Sequence, residues 1–481
     1  MRRTALAALI TLAAAASAQA QIPLNDLEGA AELLYGQTPE PMPWQHGEPK
    51  LRPVPRAKCD ARSRPLKGLQ GRVPKSAIDS PEAAKGWTCN LRVVSHYETP
   101  GGFRVWRYVD PAGHTCAFYD TSLTGPLNVV SLAAAPSPGV EVLDMADPKH
   151  PKHTDLLTAP AMLSPHESLN LNVRRGLLAA EPGTGATAPG YMAIYDVKSD
   201  CRHPVLLSNY YASPFGHESG FSRDGRTFWI GGGQGIIPVD VSDPKNPFAL
   251  TTVNIPSHGI NLSADGKTLY QTNALDGGMG ILDVSEVQAR KPNPQVREIS
   301  RLTWETTSIP QNTNPITIRG KPYLLEYDEF AFRFNPATAD DKAGAARLVS
   351  ISDPKRPRVV SNLRLAVNMP DNHKAYSGDP NFMGGSAVSY GAHYCNVPRA
   401  KDPVIAACSF LNSGLRIFDI RRPRHPRELA YFVSPPAEST GGKADAAFSQ
   451  PAFDPKRRQV YFSDAASGFW NVKLSRRAWP R

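Results

Sequence analysis

A phrase that returns seven times restricts the fold of this chain more than any other feature. It consists of apolar residues, an Asp, a further apolar residue, a short turn and a Pro. It runs as Val142-Leu143-Asp144-Met145-Ala146-Asp147-Pro148, Pro238-Val239-Asp240-Val241-Ser242-Asp243-Pro244, Leu348-Val349-Ser350-Ile351-Ser352-Asp353-Pro354 and Ile417-Phe418-Asp419-Ile420-Arg421-Arg422-Pro423. Looser copies are Ile194-Tyr195-Asp196-Val197, Ile281-Leu282-Asp283-Val284 and Phe469-Trp470-Asn471-Val472. The anchors Asp144, Asp196, Asp240, Asp283, Ser350, Asp419 and Asn471 lie 52, 44, 43, 67, 69 and 52 residues apart. Self-similarity at a period of roughly 40–50 residues is the mark of a four-stranded blade, and the two longer spacings leave room for insertions.

Alternating apolar residues suit a strand packed between neighbouring sheets. Asp-Pro ends that strand, because Pro has no N–H for the ladder and fixes its own φ. The anchor Asp is suited to satisfy backbone donors in the turn. A second element supports the first: Phe221-Ser222-Arg223-Asp224-Gly225-Arg226-Thr227-Phe228-Trp229 matches Leu262-Ser263-Ala264-Asp265-Gly266-Lys267-Thr268-Leu269-Tyr270. Each reads as strand, tight Asp-Gly turn, strand. No long 3.6-residue periodicity occurs beyond the N-terminal twenty residues. The chain therefore reads as all-β, a seven-bladed β-propeller of four-stranded antiparallel blades over residues 86–475. A Pro- and basic-rich extended arm over 21–85 precedes it, and a tail, 476–481, follows. Asn90 to Asp120 reads as strands that begin or complete the first blade.

These phrases resemble the LVIVD repeat of extracytoplasmic and cell-surface propellers, best at Ile281-Leu282-Asp283-Val284-Ser285 and Val239-Asp240-Val241-Ser242-Asp243-Pro244. The resemblance spans roughly residues 100 to 475 and departs from the pattern at Ser350 and Asn471. It implies a fold rather than an activity, since propellers host many unrelated functions.

Residues 1–20 carry Arg2 and Arg3, an apolar run from Ala5 to Ala16 and a small-x-small site at Ala18-Gln19-Ala20, the pattern of an export leader. The run is shorter than the roughly 20 residues a bilayer span needs, and no later stretch reaches that length. A periplasmic or secreted location follows as the expectation. There the six Cys, an even count without a CxxC pair, are disulfide candidates. Cys395 and Cys408 flank a hairpin and pair first. Cys89 with Cys116 is the next choice, which leaves Cys59 with Cys201. The formal charge is +10, but its basic residues are scattered among turns, as in Arg421-Arg422-Pro423-Arg424-His425-Pro426-Arg427. With no helix or aromatic platform to organise them, they argue against nucleic acid. They leave a solvated surface or attraction to an anionic envelope surface.

In a propeller the innermost strands line a central channel. His217 and His258 each precede an Asp-Gly turn by seven residues, so they hold equivalent positions in adjacent blades. His166 and His393 start the corresponding strands of their own blades. Two readings are open. In one, the histidines tie each blade to the next. In the other, they converge on the axis and hold copper, zinc or iron, with Glu167 and Glu218 as extra ligands or proton acceptors. The second arrangement is similar to that of the selenium-binding protein and methanethiol oxidase propellers, which implies copper. The Cys chemistry of that family has no evident counterpart here. Glu326-Tyr327-Asp328-Glu329 reads as a solvated acidic loop, and no Gly-x-Ser-x-Gly nucleophile motif is present. Two functions remain. One is an exported binding or scaffold propeller for a protein, glycan or small molecule, with no cofactor required. The alternative is a metal-dependent oxidoreductase or hydrolase.

Overall fold

The computed structural model describes residues 48–480 apart from 122–137, 182–189, 214–215, 234, 274–276, 305–308, 330–344, 377, 381–389 and 440–441. The export leader expected over residues 1–20 lies outside the described residues. Seven four-stranded antiparallel sheets stand in a ring. Blade 1 runs Val105–Val109, Thr115–Asp120, Val140–Asp144 and Lys152–Leu157 from the axis outward. Blades 2, 3 and 4 begin with the inner strands Asn170–Asn172, Glu218–Phe221 and Ile260–Leu262. Blades 5, 6 and 7 begin with Pro310–Ile318, Cys395–Asn396 and Ala452–Asp454.

All seven anchors of the repeated phrase fall on the third strand of a blade. Five of the Asp anchors accept a backbone N–H two residues on: Ala146 to Asp144, Lys198 to Asp196, Ser242 to Asp240, Ser285 to Asp283 and Arg421 to Asp419, at 2.7–3.1 Å. The Asp caps its own strand end, which is why it recurs. Between these anchors the third strands bury their apolar residues against both neighbouring blades. Leu177, Ala179, Met192 and Ile194 of blade 2 pack on Phe228, Ile230 and Val239 of blade 3. Trp229 and Ile236 of blade 3 pack on Ile260, Leu269 and Leu282 of blade 4. Similar clusters fill the other interfaces, including that between blades 7 and 1.

The ring closes with a strand from the other end of the chain. Leu91–Tyr97 pairs antiparallel with Gly468–Leu474 as the outermost strand of blade 7. The segment from Asn90 thus completes the last blade, not the first, and blade 1 begins at Val105. The physical reason is the edge: both ends of the chain carry unpaired ladder groups, and pairing them satisfies both. Trp87–Cys89 adds a fifth strand to blade 6 through Arg427–Val433. Residues before it run along that blade, where the Ala57 N–H and the Gln70 amide donate to Glu428.

Three disulfides occur: Cys59–Cys89, Cys116–Cys201 and Cys395–Cys408. The last is the pair expected from the hairpin. The expected Cys89–Cys116 and Cys59–Cys201 pairs are not formed. Cys89 lies on the added strand of blade 6, beside the arm that carries Cys59. Cys116, on the second strand of blade 1, faces the turn of blade 2 that carries Cys201. The run Glu326-Tyr327-Asp328-Glu329 is also corrected, because it is buried rather than solvated. Arg347, itself buried, donates to Glu326 at 2.5 Å and to Asp328 at 2.8 Å, and its guanidinium lies 4.0 Å over the Trp304 ring. Among the described residues no helix is long and apolar enough to cross a membrane.

Candidate metal centre

Register decides which side chains meet on the axis. Leu171, Phe221 and Leu262 face Leu178, Phe228 and Leu269 across the inner hairpins of blades 2, 3 and 4. Counting back four residues from each reaches Glu167, His217 and His258. In blade 2 the position of the repeated histidine is therefore taken by Glu167. His166 precedes it with φ +51°, a left-handed conformation uncommon for a residue with a side chain. Three residues after this position stand Asn170, Asn261 and, in blade 6, Asn396, which follows His393 by the same interval. Their amides donate to the next blade, to Ser219 O, Asn314 Oδ1 and Pro451 O. The inner strands are thus locked at a common height.

The four histidines converge on Glu167. His217 Nε2 lies 2.9 Å, His258 Nε2 3.4 Å and His166 Nδ1 3.9 Å from its Oε2, and His393 Nε2 lies 3.3 Å from Oε1. His217 Nε2 and His258 Nε2 are 3.0 Å apart. Glu329, just past the second strand of blade 5, brings a second carboxylate. It lies 3.4 Å from His258 Nε2 and 3.6 Å from His393 Nε2. Among the described residues three groups of three possible ligand atoms lie within 4.8 Å of one another, and two of them are here: His166, Glu167 and His217, and Glu167, Glu329 and His393; the third, Asp110, His114 and Asp200, is elsewhere.

The reading in which the histidines tie one blade to the next is seen in two of them. His258 Nδ1 donates to Pro310 O of blade 5 at 2.7 Å, and His393 Nδ1 to Phe448 O at 2.5 Å. A carbonyl only accepts, so these rings carry their proton on Nδ1. That leaves Nε2 on the axis as the nitrogen able to bind a metal, the usual arrangement behind a metal-ligating imidazole. The tie between blades fixes the orientation of each ring. His166 Nδ1 is buried and makes no hydrogen bond, and Phe103 packs on its ring at 4.0 Å.

The donor spacings fit a first-row metal. Metal–nitrogen bonds of about 2.0–2.1 Å place tetrahedral ligands about 3.3–3.4 Å apart and cis octahedral ligands about 2.9 Å apart. The separations of His217, His258 and His393 from Glu167 and of His217 from His258, 2.9–3.4 Å, span that interval, while His166 at 3.9 Å lies outside it. Electrostatics points the same way. Burial pulls His258 and His393 down, but hydrogen bonds to Glu167 and the charges of Glu167 and Glu329 outweigh it and bring each to about 9. Burial pushes His166 down to about 3, so it is neutral. Burial pushes Glu167 up, yet His217, by proximity and hydrogen bond, and the hydrogen bond of His258 hold it well below the usual carboxylate range. Two imidazolium protons thus face two carboxylates. A divalent ion that displaced both protons would leave the buried charge unchanged, whereas an unpaired buried charge is expensive.

Glu218 stands elsewhere. It directly follows His217 and so faces the next layer of the channel. Arg104 and Asn312 hold its carboxylate, and the Tyr394 hydroxyl lies 3.4 Å away. Among the described residues no imidazole is one of its hydrogen-bond or ion-pair partners. Glu329, which the sequence reading left in a loop, takes the place beside the histidines expected of Glu218. Its signal was the apolar Tyr323-Leu324-Leu325 before it, which marks a buried strand running toward the axis. His217, 24% exposed, is the most open of the six groups, so approach to the cluster is over its ring. The six Cys are all in disulfides, so no thiol is at hand. No protein-family model and no curated protein matches the chain.

Proposed function

We propose that this chain is an exported LVIVD-type propeller that holds copper, zinc or iron at one mouth of its channel. In this reading it acts as a metal-dependent oxidoreductase or hydrolase. The observation that carries the reading is the convergence of His217, His258 and His393 on Glu167 from four separate blades, 2.9–3.4 Å from its oxygens. These four residues would be the ligands, with Glu329 a further ligand or the acceptor of a proton from a bound substrate or water. A bound metal would supply Lewis acidity or an electron-transfer centre. His166, neutral and without a hydrogen bond at Nδ1, is placed to receive or donate a hydrogen bond to a substrate entering over His217. Copper is the ion implied by the likeness to the methanethiol oxidase arrangement, but the reaction must differ, because no free thiol is present. Three intramolecular disulfides suit an oxidising compartment.

Metal analysis tests the reading. Purified protein reconstituted with copper, zinc or iron should retain close to one equivalent through gel filtration, and His217→Ala with His258→Ala should retain none. Retention below a tenth of an equivalent for all three metals, with a melting temperature unchanged by chelation, would sink it.

A binding function has its own support. The opposite mouth of the channel opens into a cavity of about 460 Å³ lined by Arg174, Arg223, Asn170, Asn261, Asn314 and Trp106. That size suits a small ligand, and the two arginines favour an anionic one. Weak binding of acidic sugars that is unchanged in Arg174→Ala with Arg223→Ala would count against it.

A further inference from the structure

A second buried cluster lies away from the histidines, in the seam between blades 6 and 7. Asp464 ends the second strand of blade 7, and Asp445 lies on the segment beside it, joined through the Ala447–Asp464 bridge. Asp464 is 1% exposed, and neither of its carboxylate oxygens has a hydrogen bond. The hydroxyls of Ser434 and Ser467 are beside it. Asp445 caps a turn, accepting the N–H groups of Ala446, Ala466 and Ser467 at 2.8–3.0 Å. The Asn412 amide oxygen, also buried, is without a partner, while its NH₂ donates to Pro380 O at 2.8 Å.

Asn412, Ser434 and Asp445 line one small cavity together with Val73, Ile78 and Trp87. Its volume is about 10 Å³, room for one water-sized particle. Among the described residues no basic side chain pairs with either carboxylate. Asp445 shares this space with the orphaned Asn412 oxygen, and Asp464 stands beside Ser434 of the same wall, so two buried carboxylates without a counter-ion lack one positive charge.

We infer that Asp464, Asp445, Asn412 and Ser434 form a binding site for one calcium ion that fastens blade 7 to blade 6. The donors are all oxygen, which selects a hard cation over the metals suited to imidazole. The cavity has no space for a hydration shell. Magnesium dehydrates reluctantly and keeps several waters, whereas calcium accepts an irregular cage of protein oxygens. The competing arrangement is a proton shared by the two acids. Burial and the neighbouring acid push Asp464 well up, and burial raises Asp445 to about 6. A cation and a proton therefore contend for the same place, and they give opposite results below.

The site is independent of the metal centre, and the test separates the two. Chelator-stripped full-length protein is titrated at pH 7.5 with Tb³⁺, whose emission is excited through Trp87 in the cavity wall, and then with Ca²⁺. One Tb³⁺ should bind per chain and be displaced by Ca²⁺. Calcium at a hundredfold excess over its Kd should raise Tm by a few degrees. Asp464→Asn should weaken Tb³⁺ binding at least tenfold and abolish the calcium shift, and Asn412→Ala, which leaves the charge alone, should weaken it less. His217→Ala with His258→Ala should keep the full calcium response. The inference is overturned if neither ion binds, or if the calcium shift persists undiminished in Asp464→Asn. It is also overturned if Asp464→Asn melts higher than the parent while the parent ignores calcium, because a shared proton would then be the occupant.

Discussion

At the scale of single residues, the proposed metal centre depends on which nitrogen of each imidazole carries the proton. The bonds from His258 Nδ1 to Pro310 O and from His393 Nδ1 to Phe448 O settle this. In the metal-free protein both rings are also protonated at Nε2, with folded pKa values raised to about 9 from 6.5. A raised histidine stabilises the fold fully below the unfolded value and loses that contribution as pH climbs through the folded one. Metal-free protein should therefore lose thermal stability between about pH 6.5 and 9. His258→Gln with His393→Gln should flatten that stretch of the Tm–pH profile, and an unchanged slope would contradict the assignment. Metal affinity should run the other way and strengthen over the same interval, because uptake releases protons. Glu329→Gln should weaken metal affinity roughly 10–100-fold, as read by competition with a chromogenic chelator, and should lower Tm of the metal-free protein below about pH 9, because it removes a charge that faces both imidazolium groups. The equivalence of His217 and His258 was legible in the sequence because their hairpins have identical lengths. The turn of blade 2 has the same length but reads Val173-Arg174-Arg175-Gly176, without the Asp-Gly pair, so nothing in the sequence marked the register that places Glu167 rather than His166 at the equivalent position. Glu329 was hidden because it reaches the axis from a second strand, which no spacing within the inner-strand pattern could reveal.

At the scale of elements, the strands announced themselves and their partners did not. Each Asp anchor caps its own strand, a local device readable from a few residues. Pairing of Leu91–Tyr97 with Gly468–Leu474 joins segments far apart in sequence, and no local signal specifies it. The same distance misled the cysteine assignment. Cys395 and Cys408 sit on one hairpin and could be paired from sequence. Cys116 and Cys201 belong to different blades, and Cys59 and Cys89 meet only because the arm doubles back on blade 6. The Cys59–Cys89 link closes 30 residues and anchors the strand next to the closing one. Cys59→Ser with Cys89→Ser should cost about 3–4 kcal/mol by the chain-entropy account. Urea unfolding monitored by tryptophan fluorescence measures it, and a cost below about 1 kcal/mol would show that the arm docks without its staple.

At the scale of the whole molecule, the blade interfaces form an unbroken annulus in which each sheet is buried on both faces. The seven-fold repeat was legible here because a single sheet cannot cover its apolar faces alone, so the pattern repeats in sequence as it does in space. A defect in one interface is therefore felt by the whole ring. Trp229, fully buried between blades 3 and 4, is the largest such side chain. Trp229→Ala should cost about 3–5 kcal/mol. It should lower the midpoint of one common transition seen by both far-ultraviolet dichroism and fluorescence. Separate transitions for the two signals would mean that blades melt individually.

The closing strand has a further consequence for how the chain is made. Leu91–Tyr97 leaves the ribosome 377 residues (468 − 91) ahead of its partner Gly468–Leu474. At roughly 5–20 residues per second, that interval lasts roughly 20–75 s. Throughout it the early strand must stay unpaired while six blades accumulate behind it. Completion of the ring is a race between the arrival of the final blade and any stray strand that finds the waiting edge first.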